Sequence, residues 1–396
     1  MSVDSKVPKT RFKGFSEAWQ ERGFSDIATR VSTHHQSTCL PCVEYEDIVA
    51  GKGRFNKDIH QKKTFKAGLK FEVGDVVFGK LRPYLKNWFL ADFEGLAVGD
   101  FWVLRADNVT STFLFSLIQT NEFEVISNLS AGSKMPRSDW GLVSTSCFFV
   151  PKNISESNEI GNYFQKLDTL INQHQQKHDK LSSIKKAMLE KMFPKQGETI
   201  PEIRFKGFSG KWNEKELNNE VELFSGLTYS PSDVRNSGTL VLRSSNVKNG
   251  QLIQSDNIYV NPEVVNCSNV VEGDIIVVVR NGSRSLIGKH AQVTSRMDNT
   301  VIGAFMTGIR SKQSAFINAL LDTNMFTTEV EKNLGATINQ ITNGSFKSMV
   351  FMFPIEDEQQ EIGNYFQKLD ALINQHQQQI TKLNNIKQAC LSKMFV

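Results

Sequence analysis

Residues 159–193 read EIGNYFQKLDTLINQHQQKHDKLSSIKKAMLEKMF, and residues 361–395 read EIGNYFQKLDALINQHQQQITKLNNIKQACLSKMF. The two stretches are identical at 26 of 35 aligned positions. In each copy a seam residue recurs every seven positions, starting at Ile160 and at Ile362, and a second apolar series follows three residues later. A seam sustained over about five heptads without proline predicts a coiled-coil helix. We expect the two helices to pair with each other; two separate core helices are the alternative.

Weaker echoes of the repeat lie outside the helices. RFKGF at 11–15 returns at 204–208, and VGDVVFGK from Val73 resembles EGDIIVVV from Glu272. The chain is therefore predicted to hold two diverged globules of one design, each followed by a near-identical helix. β-Branched runs predict strands at 73–78, 100–104, 146–150, 239–242, 274–279 and 347–353, and short helices are predicted at 112–120 and 315–321. The polar, proline-bounded PKQGETIP at 194–201 predicts a linker.

Composition limits the class of protein. The chain has 396 residues, 39 % of them hydrophobic, which is enough apolar material for folded cores. It contains no apolar run of membrane-spanning length, and its polar start lacks a secretion signal. Five scattered cysteines favour a reducing, cytoplasmic location. The net charge is only +4, so binding to a polyanion would depend on local patches.

Signatures of catalysis are missing from the sequence. It has no Walker A loop, no dinucleotide fingerprint, no nucleophile elbow and no methyltransferase tetrad, so we expect no catalytic residues and no cofactor. One cluster, His34, His35, Cys39 and Cys42, combines zinc-ligand residue types, although zinc ligands more often come from two separated pairs. A loop with ordinary cysteines is the alternative, and we expect no metal site.

Basic stretches give the best candidates for a binding surface. Residues 52–86 hold ten Lys or Arg against three Asp or Glu, and 280–296 hold four cations and no acid. Arg pairs with guanine, Asn and Gln pair with adenine, and Lys holds phosphates, so these residue types suit DNA. Solvated charged faces are the alternative. The predicted DNA-binding residues are Lys80, Arg82, Lys86, Lys134, Arg137, Arg280, Asn281, Ser283, Arg284, Lys289, Asn339 and Gln340.

The whole chain resembles the specificity subunits of type I restriction-modification systems. The resemblance rests on the order of globule, helix, globule and helix, and on several phrases in that order. These are GDVVFGKLRPYLKN at 74–87, GSKMPRSDW at 132–140, IPEIRFKGFSGKW at 200–212, GDII…RNGS…LIGK within 273–289, and EIGNYFQKLD in both helices.

The resemblance implies an α+β fold with two mixed α/β target recognition domains and an antiparallel, pseudo-two-fold coiled coil. The predicted segments are domain 1 at 1–152, helix 1 at 153–193, a linker at 194–203, domain 2 at 204–355 and helix 2 at 356–396. Each domain would read one half of a bipartite site in double-stranded DNA. The helices would space the domains and dock the modification (methyltransferase) subunits, with restriction/translocase subunits as further partners and no membrane. The seam residues assigned to pairing and docking are Ile160, Tyr163, Leu167, Leu170, Ile362, Tyr365, Leu369 and Leu372.

Other classes of protein compete with this interpretation. A fused methyltransferase would carry a cofactor loop and a catalytic tetrad, and neither is present. A non-catalytic coiled-coil scaffold would not need basic patches in matching places of two diverged globules. A DNA-binding adaptor outside restriction shares the binding chemistry and differs only in its partners.

Overall fold

The computed structural model describes residues 6–62, 66–129, 135–335 and 339–396. The chain divides into two compact units, the first formed by Met1–Gln175 with Gln377–Val396 and the second by Gln176–His376. Each unit therefore contains one globule and a part of each long helix. The five-segment division predicted from the sequence keeps the helices apart from the globules, and it stays a prediction.

The first unit is built on two four-stranded sheets within its described residues. Its strands are β1 (Gln20–Gly23), β2 (Ala28–Val31), β3 (His34–His35), β4 (Cys42–Val43), β5 (Ile48–Val49), β6 (Arg54–Phe55), β7 (Gly68–Phe71), β8 (Val76–Gly79), β9 (Trp88–Leu90), β10 (Gly95–Ala97), β11 (Phe101–Ala106) and β12 (Cys147–Val150). One sheet has the antiparallel order β2-β11-β8-β9, and the other has the order β3-β7-β10-β4 with a parallel β10–β4 pair. Its short helices are α1 (Phe24–Ile27), α2 (Ser111–Leu117), α3 (Asn121–Ser127) and α4 (Trp140–Thr145). The long helix α5 (Ile154–Met192) follows.

The second unit repeats this design. The strands are β13 (Asn213–Glu216), β14 (Glu222–Ser225), β15 (Val234–Arg235), β16 (Thr239–Leu242), β17 (Val247–Lys248), β18 (Gln251–Leu252), β19 (Ile258–Val260), β20 (Ile275–Val278), β21 (His290–Gln292), β22 (Thr300–Ile302), β23 (Met306–Arg310) and β24 (Val350–Phe353). Its sheets have the orders β14-β23-β20-β21 and β15-β19-β16-β22, again with one parallel pair, β16–β22, in the second sheet. The helices are α6 (Ser314–Leu321), α7 (Asn324–Asn333), α8 (Asn343–Lys347) and the long α9 (Glu356–Met394). The predicted pair of mixed α/β domains is confirmed.

Most predicted strands and both predicted short helices are present, with shifts of a few residues at their ends. The strand predicted at 347–353 is wrong at its start, because α8 runs to Lys347 and β24 begins only at Val350. Thr342 causes the difference, since its side chain accepts a hydrogen bond from the amide of Ser345 and caps α8. The cap favours a helical turn over the β-branched pattern that follows it.

The long helices pair in antiparallel fashion, as predicted from the family resemblance. In the first unit Lys387 of α9 binds Asp168 of α5 at 2.5 Å, and the hydroxyl group of Tyr163 lies 3.6 Å from the sulfur of Cys390. The partner numbers rise on one helix as they fall on the other, which defines the opposite directions. In the second unit the same pairing brings Lys185 of α5 to 2.5 Å from Asp370 of α9.

Each helix pair also contacts the loop that follows a short helix of its globule, α2 in the first unit and α6 in the second. In the first unit Lys387 donates to the side-chain oxygen of Gln119 at 2.6 Å. In the second unit Lys185 contacts Asp322 at 2.6 Å, and His290 lies 3.4 Å from the same carboxylate. Burial acts to raise the pKa of Asp322, but the hydrogen bond from His290 and the charge of Lys185 lower it to about 2. The neutral amide of Gln119 in the first unit therefore takes the place of the Asp322 carboxylate in the second unit.

A glycine near the start of each long helix explains how closely helix and globule approach. A Cβ atom on Gly161 would lie 2.6 Å from the amide nitrogen of Phe113, and one on Gly363 would lie 2.7 Å from that of Phe316. Both distances are too short for any larger residue without a shift of the backbone. The glycine of the repeated Ile-Gly-Asn-Tyr phrase thus allows α5 to pack closely against α2, and α9 against α6.

Buried ion pairs fix the beginning of each long helix. Glu156 is 1 % exposed and accepts from Arg11, with Nη2 at 2.7 Å, while Glu358 is fully buried and accepts from two nitrogens of Arg204 at 2.6 Å. The repeated Arg-Phe-Lys-Gly-Phe phrase supplies both arginines. The phrase is repeated because, in each unit, its arginine connects the first segment of the globule to the long helix that follows the globule.

The repeated Gly-Asp phrase has a structural role as well. Asp75 and Asp274 are each 1 % exposed, and each carboxylate accepts two hydrogen bonds from one arginine, Arg105 or Arg310. The preceding glycines adopt positive φ angles of 91° and 93°. This turn sets the direction of β8 and of β20, whose carboxyl ends carry the candidate binding residues.

Candidate nucleic-acid interface

In the first unit the predicted residues gather where three segments meet. We define the first loop cluster as residues 80–86 after β8, Asp100 before β11, and residues 135–139 before α4. The amide of Lys80 donates to the carbonyl of Asp100 at 2.9 Å, and Leu81 forms an antiparallel bridge with Arg137. Lys80, Arg82, Lys86 and Arg137 thus come together from distant parts of the sequence. Lys134 lies outside the described residues.

Carboxylates hold most of these cations. Arg137 directs Nε and Nη2 at one oxygen of Asp100, both at 2.9 Å, and Lys80 lies 3.6 Å from the other oxygen. Lys86 binds Glu124 at 2.8 Å. The cluster therefore presents oriented cations with part of their charge compensated, and each of these pairs is partly open to solvent.

Arg82 differs from its neighbours in this cluster. It is exposed and forms no ion pair within the described part of the chain. It has φ of 50° and Lys86 has φ of 57°, so two left-handed residues enclose the short turn Pro83–Leu85. The amide of Arg82 donates to the carbonyl of Pro136 at 2.8 Å, which fixes the turn to the segment before α4. Non-glycine residues adopt this backbone at a cost, so the surrounding contacts must hold it there.

Tyr45 supports the first loop cluster, and no sequence pattern predicts this role. Its hydroxyl group donates to the carbonyl of Asp100 at 2.6 Å and accepts from the amide of Leu81 at 3.1 Å. Its ring stacks on Phe101 with centroids 4.4 Å apart. Burial raises the pKa of Tyr45, so the phenol stays protonated and keeps both hydrogen bonds. A single tyrosine in a loop follows no period or motif, so only the fold could locate it.

In the folded protein, carboxylates compensate part of the positive charge of the basic run at 52–86. Lys57 and Lys62 bind Asp47, and Lys62 and Lys66 bind Glu44. Burial acts to raise the pKa of Asp47, but the two ammonium groups hold it below its usual range. Both acids lie just before the run in the sequence, so a count confined to the run overstates the charge that it presents.

The second loop cluster has the same frame. We define it as residues 279–289 after β20, Phe305 before β23, and residues 339–342 before α8. The amide of Val279 donates to the carbonyl of Phe305 at 3.1 Å, and Arg280 forms an antiparallel bridge with Gln340. These contacts correspond to those of Lys80 with Asp100 and of Leu81 with Arg137. The guanidinium group of Arg280 lies 4.9 Å from the centre of the exposed Phe305 ring.

Polar side chains brace this second cluster internally. Asn281 donates to the hydroxyl group of Ser244 at 3.0 Å and accepts from the amide of Ser283 at 2.9 Å. Asn339 donates to the carbonyl of Gly282 at 3.0 Å, and the Ser283 hydroxyl group lies 2.9 Å from that of Ser285. The predicted amides Asn281 and Asn339 are therefore engaged within the loop.

In the second cluster, no carboxylate of the described residues compensates the charge of the cations. Arg284 and Lys289 are exposed, and among the described residues neither they nor Arg280 form an ion pair with a carboxylate. Three uncompensated cations on one short segment make a local positive patch. Such a patch suits phosphate groups, while the fork of a guanidinium group also suits the edge of guanine.

The predicted seam residues divide into buried and exposed groups. Ile160, Leu167, Ile362 and Leu369 are at most 8 % exposed, and Tyr163 and Tyr365 are half-buried. The hydrogen bond between Tyr163 and Cys390 raises the pKa of that tyrosine. Leu170 and Leu372 are 43 % and 44 % exposed. The same position thus leaves an apolar side chain open to solvent in both helices.

The His34–Cys42 cluster does not gather in the structure. In the described part of the chain, no group of three or more His, Cys, Asp or Glu side chains could hold a metal ion. Cys42 is fully buried, and its thiol points toward the carbonyl of Lys66 at 3.7 Å. Within the same residues, no helix has both the length and the apolar character needed to cross a membrane.

Comparisons with known proteins show what this chain is similar to in sequence and in fold. Residues 209–385 match the family described as the type I restriction modification DNA specificity domain. The specificity subunit of the type I restriction enzyme StySPI from Salmonella potsdam is 25 % identical over 186 residues, which are 45 % of this chain and 39 % of that protein. The EcoKI specificity subunit of Escherichia coli (strain K12) is 26 % identical over 162 residues, which are 39 % of this chain and 34 % of that protein. The matched regions thus span little more than a third of these relatives.

A solved structure has the same fold over nearly the whole chain. The crystal structure of a type I restriction-modification system S subunit from M. genitalium aligns with a TM-score of 0.66 and 13 % identity, covering 98 % of this chain and 99 % of that one. The fold is thus the one seen in that S subunit, and the sequence match to the specificity domain falls mostly within the second unit. The sequence match to the specificity domain covers residues 209–385, and the likeness in fold covers nearly the whole chain.

Proposed function

We propose that this chain is the DNA-binding specificity subunit of a type I restriction-modification complex and has no catalytic activity of its own. Each loop cluster would read one half of a bipartite target in double-stranded DNA. The observation that carries the proposal is the pair of matching backbone bridges, Leu81 with Arg137 and Arg280 with Gln340, which present different side chains from one frame.

The division between constant and variable residues supports two separate readings of DNA. The carboxylates that fix β8 and β20, Asp75 and Asp274, make the same contacts in both units. The residues on the loops differ, with Asp100 and Arg137 in one unit and Phe305 and Gln340 at the corresponding places in the other. Two half-sites of different sequence require this combination, because base edges are distinguished by the donors and acceptors that meet them.

The helices suit the docking of protein partners. Leu170 and Leu372 leave an apolar side chain exposed at the same position of each helix. We propose that these two positions contact the modification subunits, one at each helix, and that restriction/translocase subunits join the same assembly in the cytoplasm. Cleavage and methylation then belong to those partners.

The test uses the full chain assembled with its modification subunits. Its target is first mapped from the methylated positions in the host genome. The complex should bind that duplex at least 10³-fold more tightly than a random duplex at physiological salt. A duplex in which one half-site is scrambled serves as the control, and it should lose most of this preference. Equal affinity for all three duplexes would refute the proposal.

A further inference from the structure

The residue just before the central strand occupies the same place in both loop clusters. Asp100 precedes β11 and Phe305 precedes β23, and each carbonyl accepts the amide of the residue that follows the neighbouring strand, Lys80 at 2.9 Å or Val279 at 3.1 Å. In each cluster this residue touches one guanidinium group. We infer that Asp100 and Phe305 are positioning residues that orient Arg137 and Arg280 to read one guanine in each half-site. The inference rests on the proposed function.

In the first cluster the geometry favours a base over a phosphate. Arg137 uses Nε and one Nη2 hydrogen on Asp100, which leaves Nη1 and the second Nη2 hydrogen as a fork with no partner among the described residues. That fork matches the O6 and N7 acceptors of guanine. The carboxylate cancels one positive charge, so Arg137 gains little from a phosphate. A neutralised but oriented fork suits discrimination between bases.

In the second cluster an aromatic face replaces the carboxylate. Phe305 is 53 % exposed, and the guanidinium group of Arg280 lies 4.9 Å from the ring centre. This cation–π contact limits where the guanidinium group can lie and uses none of its five N–H donors. The backbone bridge of Arg280 to Gln340 fixes the origin of the side chain. Phe305 and the bridge thus determine where the fork can point.

The first experiment measures base preference at every position of the mapped site, with the complex of the full chain and its modification subunits. Arg137→Lys keeps the charge but removes the fork, so it should lower the preference for guanine at one position of the first half-site about 10-fold. Asp100→Ala should lower the preference at the same position less, about 3-fold, because Arg137 remains but is no longer oriented. Binding to random duplex should rise in Asp100→Ala, since two cations are released.

The second experiment makes matched changes in the other unit. Phe305→Leu should lower the preference for guanine at one position of the second half-site about 3-fold, while Phe305→Trp should preserve it, since tryptophan also offers an aromatic face. Asp298→Ala is the control for Asp100→Ala. It also removes a carboxylate from an exposed arginine, Arg296 at 2.7 Å, but outside both loop clusters. It should leave every position unchanged.

The outcomes separate this inference from the proposed function. If the wild-type complex selects no bipartite site, the proposed function fails and the inference fails with it. If it selects a site, but Arg137→Lys, Asp100→Ala and Phe305→Leu leave all base preferences unchanged, only the inference is overturned. A half-site that contains no guanine also overturns it. Thermal unfolding of each variant identifies any general loss of structure. If Asp100→Ala or Phe305→Leu loses structure, the base preferences of Arg137→Lys and Phe305→Trp decide the test.

Discussion

The turn after β8 and the turn after β20 occupy the same place in their units, but their cations have different neighbours. In the first loop cluster, Lys80 and Arg137 share Asp100 and Lys86 binds Glu124. In the second, the guanidinium group of Arg280 lies over the ring of Phe305, and Arg284 and Lys289 form no ion pair with a carboxylate in the described chain. The backbone contacts of these loops and their electrostatics therefore depend on separate residues, so one can change while the other is kept.

The first prediction tests whether the buried ion pairs at the beginning of the two long helices stabilise both units to the same extent. Glu156→Ala and Glu358→Ala each leave an arginine without its buried partner, which should reduce the stability of the affected unit by about 3–5 kcal/mol. Amide hydrogen exchange, read separately at β8 and β20, measures the loss in each unit. Glu46→Ala is the control, since Glu46 is exposed and lies 3.8 Å from Lys57, and it should change little. A large loss in only one unit would show that the frames are not equivalent.

The next prediction concerns a difference between the units away from the loops. The folded state lowers the pKa of Asp322 from 3.8 to about 2, so its contribution is present above about pH 4 and is lost as the pH falls through 2. Asp322→Asn should therefore destabilise the second unit by about 2 kcal/mol at pH 7, and the difference from the wild type should shrink between pH 4 and pH 2. Amide exchange across this range measures it.

The first unit provides the internal control for that measurement. Gln119 occupies the place of Asp322 there and binds Lys387 as a neutral amide. Exchange in the first unit should show no effect of Asp322→Asn at any pH. A stability difference in the second unit that is constant from pH 7 to pH 2 would contradict the assigned role of the carboxylate.

A third prediction sharpens the contrast in charge. Replacing Arg284 and Lys289 together by alanine should reduce the slope of log K against log salt by about 2, because each phosphate contact contributes about 0.9. Replacing Lys80 and Lys86 together should reduce the slope by less, since both already bind carboxylates. Titration of duplex binding between 50 and 200 mM salt supplies the measurement. Equal slopes for the two double variants would remove the proposed difference between the clusters.

The smallest expected effect concerns the basic run of the first globule. Lys57→Ala should leave duplex affinity within about 2-fold of the wild type, because Lys57 binds Asp47 outside the loop cluster. Arg82→Ala removes an exposed cation that forms no ion pair in the described part of the chain, so this comparison variant should weaken binding to all sequences. A clear loss of affinity in Lys57→Ala would contradict this prediction and would indicate that the whole run at 52–86 contributes to DNA binding.

The parts of the fold that could be predicted are those written as periodic patterns. The helix seam repeats every seven residues, and the alternation of globule and helix appears twice, so the architecture was readable from the sequence. Ends of elements depend on single capping groups such as Thr342, which explains the late start of β24. Periodicity carries no information about such single contacts.

The candidate site was less accessible to sequence reasoning. The predicted cations lie on the two loop clusters wherever the structure describes them, but their role in binding stays a prediction. Asp100, Phe305 and Tyr45 were missed, because each is one residue brought to the loop by strand pairing. Glu44 and Asp47 were missed as partners of the lysines because charge was counted along the chain and ion pairs form across it.

The left-handed pair Arg82 and Lys86 has a consequence for the entropy of binding. The turn between them is held at both ends, by the carbonyl of Pro136 on Arg82 and by the amide of Gly51 on Lys86, each through one backbone hydrogen bond. Pro83 restricts the turn further. Its conformational freedom is thus already lost when the globule folds. A duplex meets a surface that is already ordered, so we expect this part of the interface to associate without a disorder-to-order transition.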